Sequence, residues 1–214
     1  VRQIALAVLT AFVLISRGAA ADNGPGGDIL GSLGTHKVAP GETMLDIARH
    51  YDLGFVELRA ANPGIDVWVP APGTVLTRPG AHILPEVARR GIVVNLAEQL
   101  LYYFPVSGGP AVTYPVGIGK DSWETPLGAT VVVGKRKNPV WTPPASVRAE
   151  NPALPTRVPP GPNNPLGAFA LDLGWPGIVI HGTNKPAGVG RRVSHGCIRL
   201  YPEDIERLFT MVPI

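Results

Sequence analysis

Cysteine is almost absent: the 214 residues contain one, Cys197, so a fold stapled by disulfides within the chain is excluded. Charge is sparse. Charged residues make up 16%, the formal net charge is +3, and no run of Lys and Arg is longer than three residues. That excludes a charge-rich disordered chain and gives no support to a nucleic-acid partner, while mildly favouring an anionic polymer. The apolar run from Ile4 to Ile15 is followed by Arg17 and falls short of the roughly 20 residues that cross a bilayer. Zinc-site spacings of the HExxH or CxxC kind are also missing, which weighs against His181, His195 and Cys197 being ligands of a catalytic zinc.

What is present points to turns and sheets. Hydrophobic residues reach 45%, and Gly 26 with Pro 24 account for almost a quarter of the chain, a composition that suits β-rich domains better than helical bundles. The length fits two modules. Arg2, the short apolar run and Ala19-Ala20-Ala21 have the outline of a secretory signal peptide over residues 1–21. No cysteine follows it at a position for lipid attachment. Residues 22–34, rich in Gly and Asp, read as a linker.

Over residues 35–80 the spacing predicts a small α+β unit. Thr43 and Asp46 resemble a helix-capping pair, with Met44, Ile47, Ala48 and Tyr51 at helical spacing. A second helix is expected from Phe55 to Ala61, ended by Asn62-Pro63-Gly64. Thr74 to Thr77, before Pro79, reads as a strand. This order, with Val38, Gly41-Glu-Thr43, Ile47-Ala48 and Ala61-Asn-Pro63 in place, resembles the LysM module, a binder of N-acetylglucosamine-containing glycan. The resemblance implies glycan contacts near Gly41, Glu42, Thr43 and Asn62.

From residue 88 onward the expectation is a mainly β domain with short helices. Gly91 to Leu96 and Gln99 to Phe104 form a predicted hairpin, and Ala111 to Ile118 and Ala129 to Gly134 two more strands. Residues 135–165 hold nine prolines and little periodicity, which marks a long loop of the kind that is functional or disordered. Trp141 within it offers an aromatic wall for a cleft. An apolar strand then delivers His181, and Ser194-His-Gly-Cys-Ile-Arg-Leu200 leads into a helix that starts at Pro202. A thiol beside an imidazole is an activated nucleophile, its pKa lowered and its proton collected. Spacing alone leaves both His181 and His195 as candidate bases. The backbone N–H groups around His195, Gly196 and Cys197 are candidates for an oxyanion hole.

His181-Gly-Thr-Asn184 followed by Ser194-His-Gly-Cys-Ile-Arg-Leu200 resembles the signature of YkuD-type L,D-transpeptidases, supported by Trp123 to Gly128, Trp141 to Pro144 and Asn164 to Gly167. With a LysM-like unit in front, the chain is similar to the periplasmic branch that anchors murein lipoprotein. The resemblance implies a catalytic domain over residues 88–214 with a YkuD-like β-sandwich or barrel, Cys197 as nucleophile, and His181 as base oriented by the carbonyl of Gly182. His195 becomes a supporting residue; Ser194, Thr183 and Arg199 become substrate-side candidates. It implies no cofactor and no metal. The implied reaction takes a tetrapeptide stem of peptidoglycan, releases D-alanine, and transfers the acyl group to a stem amine in a 3→3 cross-link or to an outer-membrane lipoprotein lysine. Transfer to water makes a carboxypeptidase instead, and a non-catalytic wall-binding protein is the rival from another class. Arg199 stands where other members carry Asn, and the chain ends at Ile214 where similar proteins continue into another strand, so a fragment is expected.

Overall fold

A computed structural model describes residues 28–214; the signal-peptide expectation lies outside them. The first strand, β1 (Ile29–Lys37), is followed by α1 (Met44–His50), α2 (Phe55–Ala61) and β2 (Val75–Ile83). Thr43 caps α1 through a reciprocal bond with Asp46, whose backbone N–H reaches Thr43 Oγ1 at 3.2 Å. The apolar positions Met44, Ile47, Ala48, Phe55 and Leu58 bury one shared face together with Val38 and Leu76.

Two boundaries differ from expectation. β1 begins six residues inside the expected linker, and β2 runs through Pro79 to Ile83, because the two strands pair antiparallel along their whole length from Ile29↔Ile83 to Lys37↔Val75. The glycines at 31 and 80 make this possible. A Cβ on Gly31, which has φ +80°, would collide with the carbonyl oxygen of Gly80, an approach that no side chain tolerates.

The second unit contains β3 (Gly91–Asn95), β4 (Leu100–Phe104), β5 (Val112–Pro115), β6 (Ile118–Gly119), β7 (Val132–Lys137), α3 (Ala145–Glu150), β8 (Phe169–Leu173), β9 (Val179–His181), β10 (Arg192–Ser194), β11 (Ile198–Arg199) and α4 (Pro202–Met211). It is mainly strand with few helices. The sheets have the orders β3-β4-β5, β11-β9-β8-β7 and β10-β6. The predicted hairpin is present. The strand expected over Ala111 to Ile118 is instead broken between β5 and β6, and the next one lies three residues later than expected.

β4 shows how period-two alternation organises the whole molecule. Its Leu101 and Tyr103 enter the main core with Tyr114, Leu171, Ile180, Ile198 and, from α4, Ile205. Its Leu100, Tyr102 and Phe104 face the other way and bury Leu30 and Leu84 of the first unit. A strand covered on both faces reads as a continuous apolar run, which is the reason for the sequence Leu-Leu-Tyr-Tyr-Phe.

The two units are joined by polar contacts as well. Arg49 forks onto Glu203 at 2.8 and 2.9 Å, and the Tyr201 hydroxyl donates to the Leu53 carbonyl at 3.1 Å. Gly54 and Gly190 meet backbone to backbone; a Cβ on Gly190 would collide with the Gly54 Cα. At the same seam Asp204 is fully buried, and among the described residues neither carboxyl oxygen has a hydrogen-bond partner. No helix among the described residues is long and apolar enough to cross a membrane.

Candidate active site

β9 and β11 are neighbours and run parallel, with Ile198 opposite Ile180 and Arg199 opposite His181. Residues two apart on a strand share a face, so this register sets Cys197, Arg199 and His181 on one face, with Cys197 and His181 as diagonal neighbours. Ile180 and Ile198 point the opposite way into the core. An apolar cavity of about 610 Å³ lies on that core side, lined by Ile180, Ile198, Tyr103 and Leu173, and is therefore distinct from the Cys197 face.

His181 is 3% exposed, and its Nδ1–H donates to the Gly182 carbonyl at 2.5 Å. In a neutral imidazole that assignment leaves Nε2 as the proton acceptor. Burial pushes the His181 pKa down to about 3, assisted by the charge of Arg199. Burial also raises the Cys197 thiol, against a smaller lowering by the Val179 N–H and Arg199. The thiol donates weakly to the Gly177 carbonyl at 3.5 Å. Both shifts favour the neutral thiol and the neutral imidazole, in the direction opposite to the lowered thiol expected from sequence. The physical reason is that both groups are desolvated, so a charged pair gains less than it loses.

The turn carrying Cys197 is held from two sides. Ser194, 1% exposed, donates from Oγ to the Cys197 carbonyl at 2.5 Å, and Thr125 donates to the Gly196 carbonyl at 2.9 Å while accepting from the Gly119 N–H at 3.0 Å. Gly196 has φ +97°, and a Cβ there would press on Ile178 at 3.0 Å, so glycine is required for both conformation and space. Ser194 therefore serves the turn.

Thr183 is likewise buried, its Oγ1 accepting from the Lys185 N–H at 2.9 Å. Arg199 makes no ion pair among the described residues: the nearby carboxylates are taken elsewhere, Glu203 binding Arg49 and Asp204 facing Arg207 at 3.5 Å, and Arg199 Nε is buried without a partner there. Among the described residues no group of three or more His, Cys, Asp or Glu side chains is arranged to hold a metal ion.

The proline-rich loop is ordered at its base. Trp141 and Val158 exchange backbone bonds of 2.9 and 2.8 Å, and the fully buried Asn164 donates to the Pro139 carbonyl at 2.7 Å. Trp141 belongs to that base. The indole that borders the segment from Ser194 to Cys197 is Trp123, 5.4 Å from the His195 ring. His195 itself is held by Glu150 at 2.9 Å, a contact that sequence spacing does not reveal because α3 is short and lies in an aperiodic stretch.

In the first unit the polar atoms of three expected glycan contacts are engaged locally. Asn62 is buried and bonds Leu58, and Thr77 in both directions at 2.7 and 2.8 Å; Glu42 accepts from Ala39 and faces His36; Thr43 caps α1. Gly41, at φ +85°, has open space around it. Trp68 carries no signal in the sequence that marks it as a contact. It is 61% exposed, presented by an Asx turn in which Asp66 accepts from the Trp68 and Val69 N–H groups at 2.8 and 3.0 Å. The bond from Met44 N–H to the Val67 carbonyl places that loop beside the start of α1.

The chain is similar to known proteins. Three Escherichia coli proteins bearing the description "Probable L,D-transpeptidase" are similar to the chain. YcfS is 46% identical over 180 residues, covering 80% of this chain and 56% of YcfS. YbiS is 45% identical over 172 residues, covering 78% and 56%, and ErfK/SrfK 44% over 184 residues, covering 84% and 58%. The chain thus spans somewhat over half the length of these relatives. The family model for the YkuD L,D-transpeptidase catalytic domain matches residues 89–214, the span that holds Cys197, His181 and the sheet that aligns them, and on these grounds the chain belongs to the YkuD L,D-transpeptidase family.

Proposed function

We propose that the chain is a peptidoglycan L,D-transpeptidase whose nucleophile is Cys197 and whose base is His181. The observation that carries this reading is the parallel register that sets both on one face, with the imidazole Nδ1–H already spent on Gly182. As Sγ attacks the carbonyl between the third stem residue and the terminal D-alanine, its proton passes to His181 Nε2 and a C–S bond forms. The C–N bond then breaks, the imidazolium returns the proton to the departing amine, and D-alanine leaves. An acceptor amine attacks the thioester, His181 takes its proton, and the thiol is regenerated.

The N–H groups of His195, Gly196 and Cys197 make no backbone hydrogen bond among the described residues, which suits them to the developing oxyanion. Arg199, whose Nε has no partner among the described residues, suits a donor carboxylate. Residues 88–214 carry the chemistry, and residues 35–80 act as a LysM-like glycan binder, with Gly41 and Trp68 on one edge. The setting is the periplasmic wall, reached through the signal peptide, and the acceptor is a stem diamino acid or a lipoprotein lysine.

Incubation with disaccharide tetrapeptide, followed by mass spectrometry, is expected to yield free D-alanine and a 3→3 linked dimer. D-alanine with tripeptide alone would replace transfer by hydrolysis, and unchanged substrate would contradict the reading. For the glycan edge, Trp68→Ala should weaken retention on insoluble peptidoglycan several-fold, a typical loss for an exposed aromatic contact of about 1 kcal/mol, with turnover of soluble stem peptides unchanged. Equal retention of variant and parent would remove Trp68 from the binding edge.

A further inference from the structure

Glu150 closes α3, far along the chain from the catalytic segment, yet four contacts converge on its carboxylate. His195 Nε2 lies 2.9 Å away, Lys120 Nζ 3.1 and 3.2 Å, and Trp123 Nε1–H donates at 3.2 Å. His195 and Lys120 hold this carboxyl below the usual carboxylate range. The base of the loop is independently fixed by the Trp141–Val158 pairing and by Asn164, so Glu150 is the point at which the loop's tip is tied to the nucleophile's segment. Lys120 belongs to the same assembly, its backbone N–H donating to the Ser194 carbonyl at 3.0 Å. The indole of Trp123 and the ring of His195 stand at 55° to one another, so the carboxylate fixes the edges of two adjacent rings at once.

We infer that Glu150 is a positioning residue for the transfer reaction, acting through His195 to fix the segment that presents Cys197 and its N–H groups. The inference rests on Cys197 being the acylated residue. Because the carboxylate is exposed, it contributes little to global stability, and its removal leaves the fold intact. Its influence should instead appear in rate, and only while His195 is present.

The experiment is a double-mutant cycle read by intact-protein mass during acylation of the full chain by a carbapenem. Glu150→Ala is expected to slow acylation about tenfold, and Glu150→Gln, which keeps an acceptor for His195 Nε2, about threefold. In the His195→Ala background Glu150→Ala should change the rate by less than twofold, because residues acting through one another are not additive. About 1 M salt, where charges are screened within roughly 3 Å, should slow the parent and leave Glu150→Ala unaffected. A fully additive cycle, or a Glu150→Ala rate equal to that of the parent, would overturn the inference while leaving Cys197 as nucleophile. An absence of any adduct in the parent would overturn the nucleophile assignment and this inference with it.

Discussion

Replacing His181 by alanine is expected to slow acylation of Cys197 by roughly 10²–10⁴-fold, the contribution of a positioned proton acceptor, and to change the shape of the pH dependence. In the parent, burial keeps His181 neutral down to about pH 3 and raises the thiol. Between those limits neither partner changes charge, so the rate should be nearly flat from about pH 5 to 8. Without the imidazole only the ionised thiol reacts, and its fraction grows about tenfold per pH unit below its pKa. The variant's rate should therefore climb by about a factor of ten for each unit. Stopped samples analysed by intact mass across that range would measure both slopes. A flat profile in His181→Ala, or an unchanged rate, would move the base to another group.

The second large effect is on stability. Asp204 is buried where α4 meets the first unit, facing Asp52, Arg207, Glu203 and Arg49, and its pKa is raised to about 8, chiefly by burial and then by Asp52. Arg207 stands 3.5 Å away and is itself shared with Asp52 at 3.4 Å. A carboxyl whose folded pKa exceeds its unfolded value stabilises the fold fully below the unfolded value of 3.8 and loses that contribution as pH rises through about 8. Asp204→Asn keeps the shape and removes the charge. It should melt close to the parent at pH 4 and above it at pH 8, by about 3 kcal/mol or roughly 6–12 °C for a chain of this size. His181 works in the opposite direction, costing stability as pH falls below its ordinary value toward 3, but it is present in both proteins and cancels in the difference. Calorimetry of the pair at the two pH values would decide, and parallel melting curves would show that the Asp204 carboxyl carries no such cost.

Local elements are readable where chemistry repeats at short range. The Thr43–Asp46 cap, the apolar face of α1 and the β3–β4 hairpin each follow from neighbours within a few residues. Legibility ends where pairing partners are distant. β1 looks like a linker because its Gly and Ser residues show no alternation; its partner β2 lies some forty residues on. The segment proposed to carry the nucleophile stands out in the sequence by its motif, as does the histidine two positions before Cys197. The partner of that histidine does not, since Glu150 is forty-five residues away in a stretch whose prolines hide α3. Asn62 misleads for a related reason: an asparagine before proline looks like an exposed turn residue, whereas here its amide stitches α2 to β2 through Leu58 and Thr77.

Acylation of Cys197 by the tetrapeptide stem is read from intact-protein mass after incubation with that stem. The parent should gain the mass of the stem less D-alanine, peptide mapping should place it on Cys197, and Cys197→Ala should gain nothing. An adduct that persists in Cys197→Ala, or one mapped to any other residue, would contradict the account.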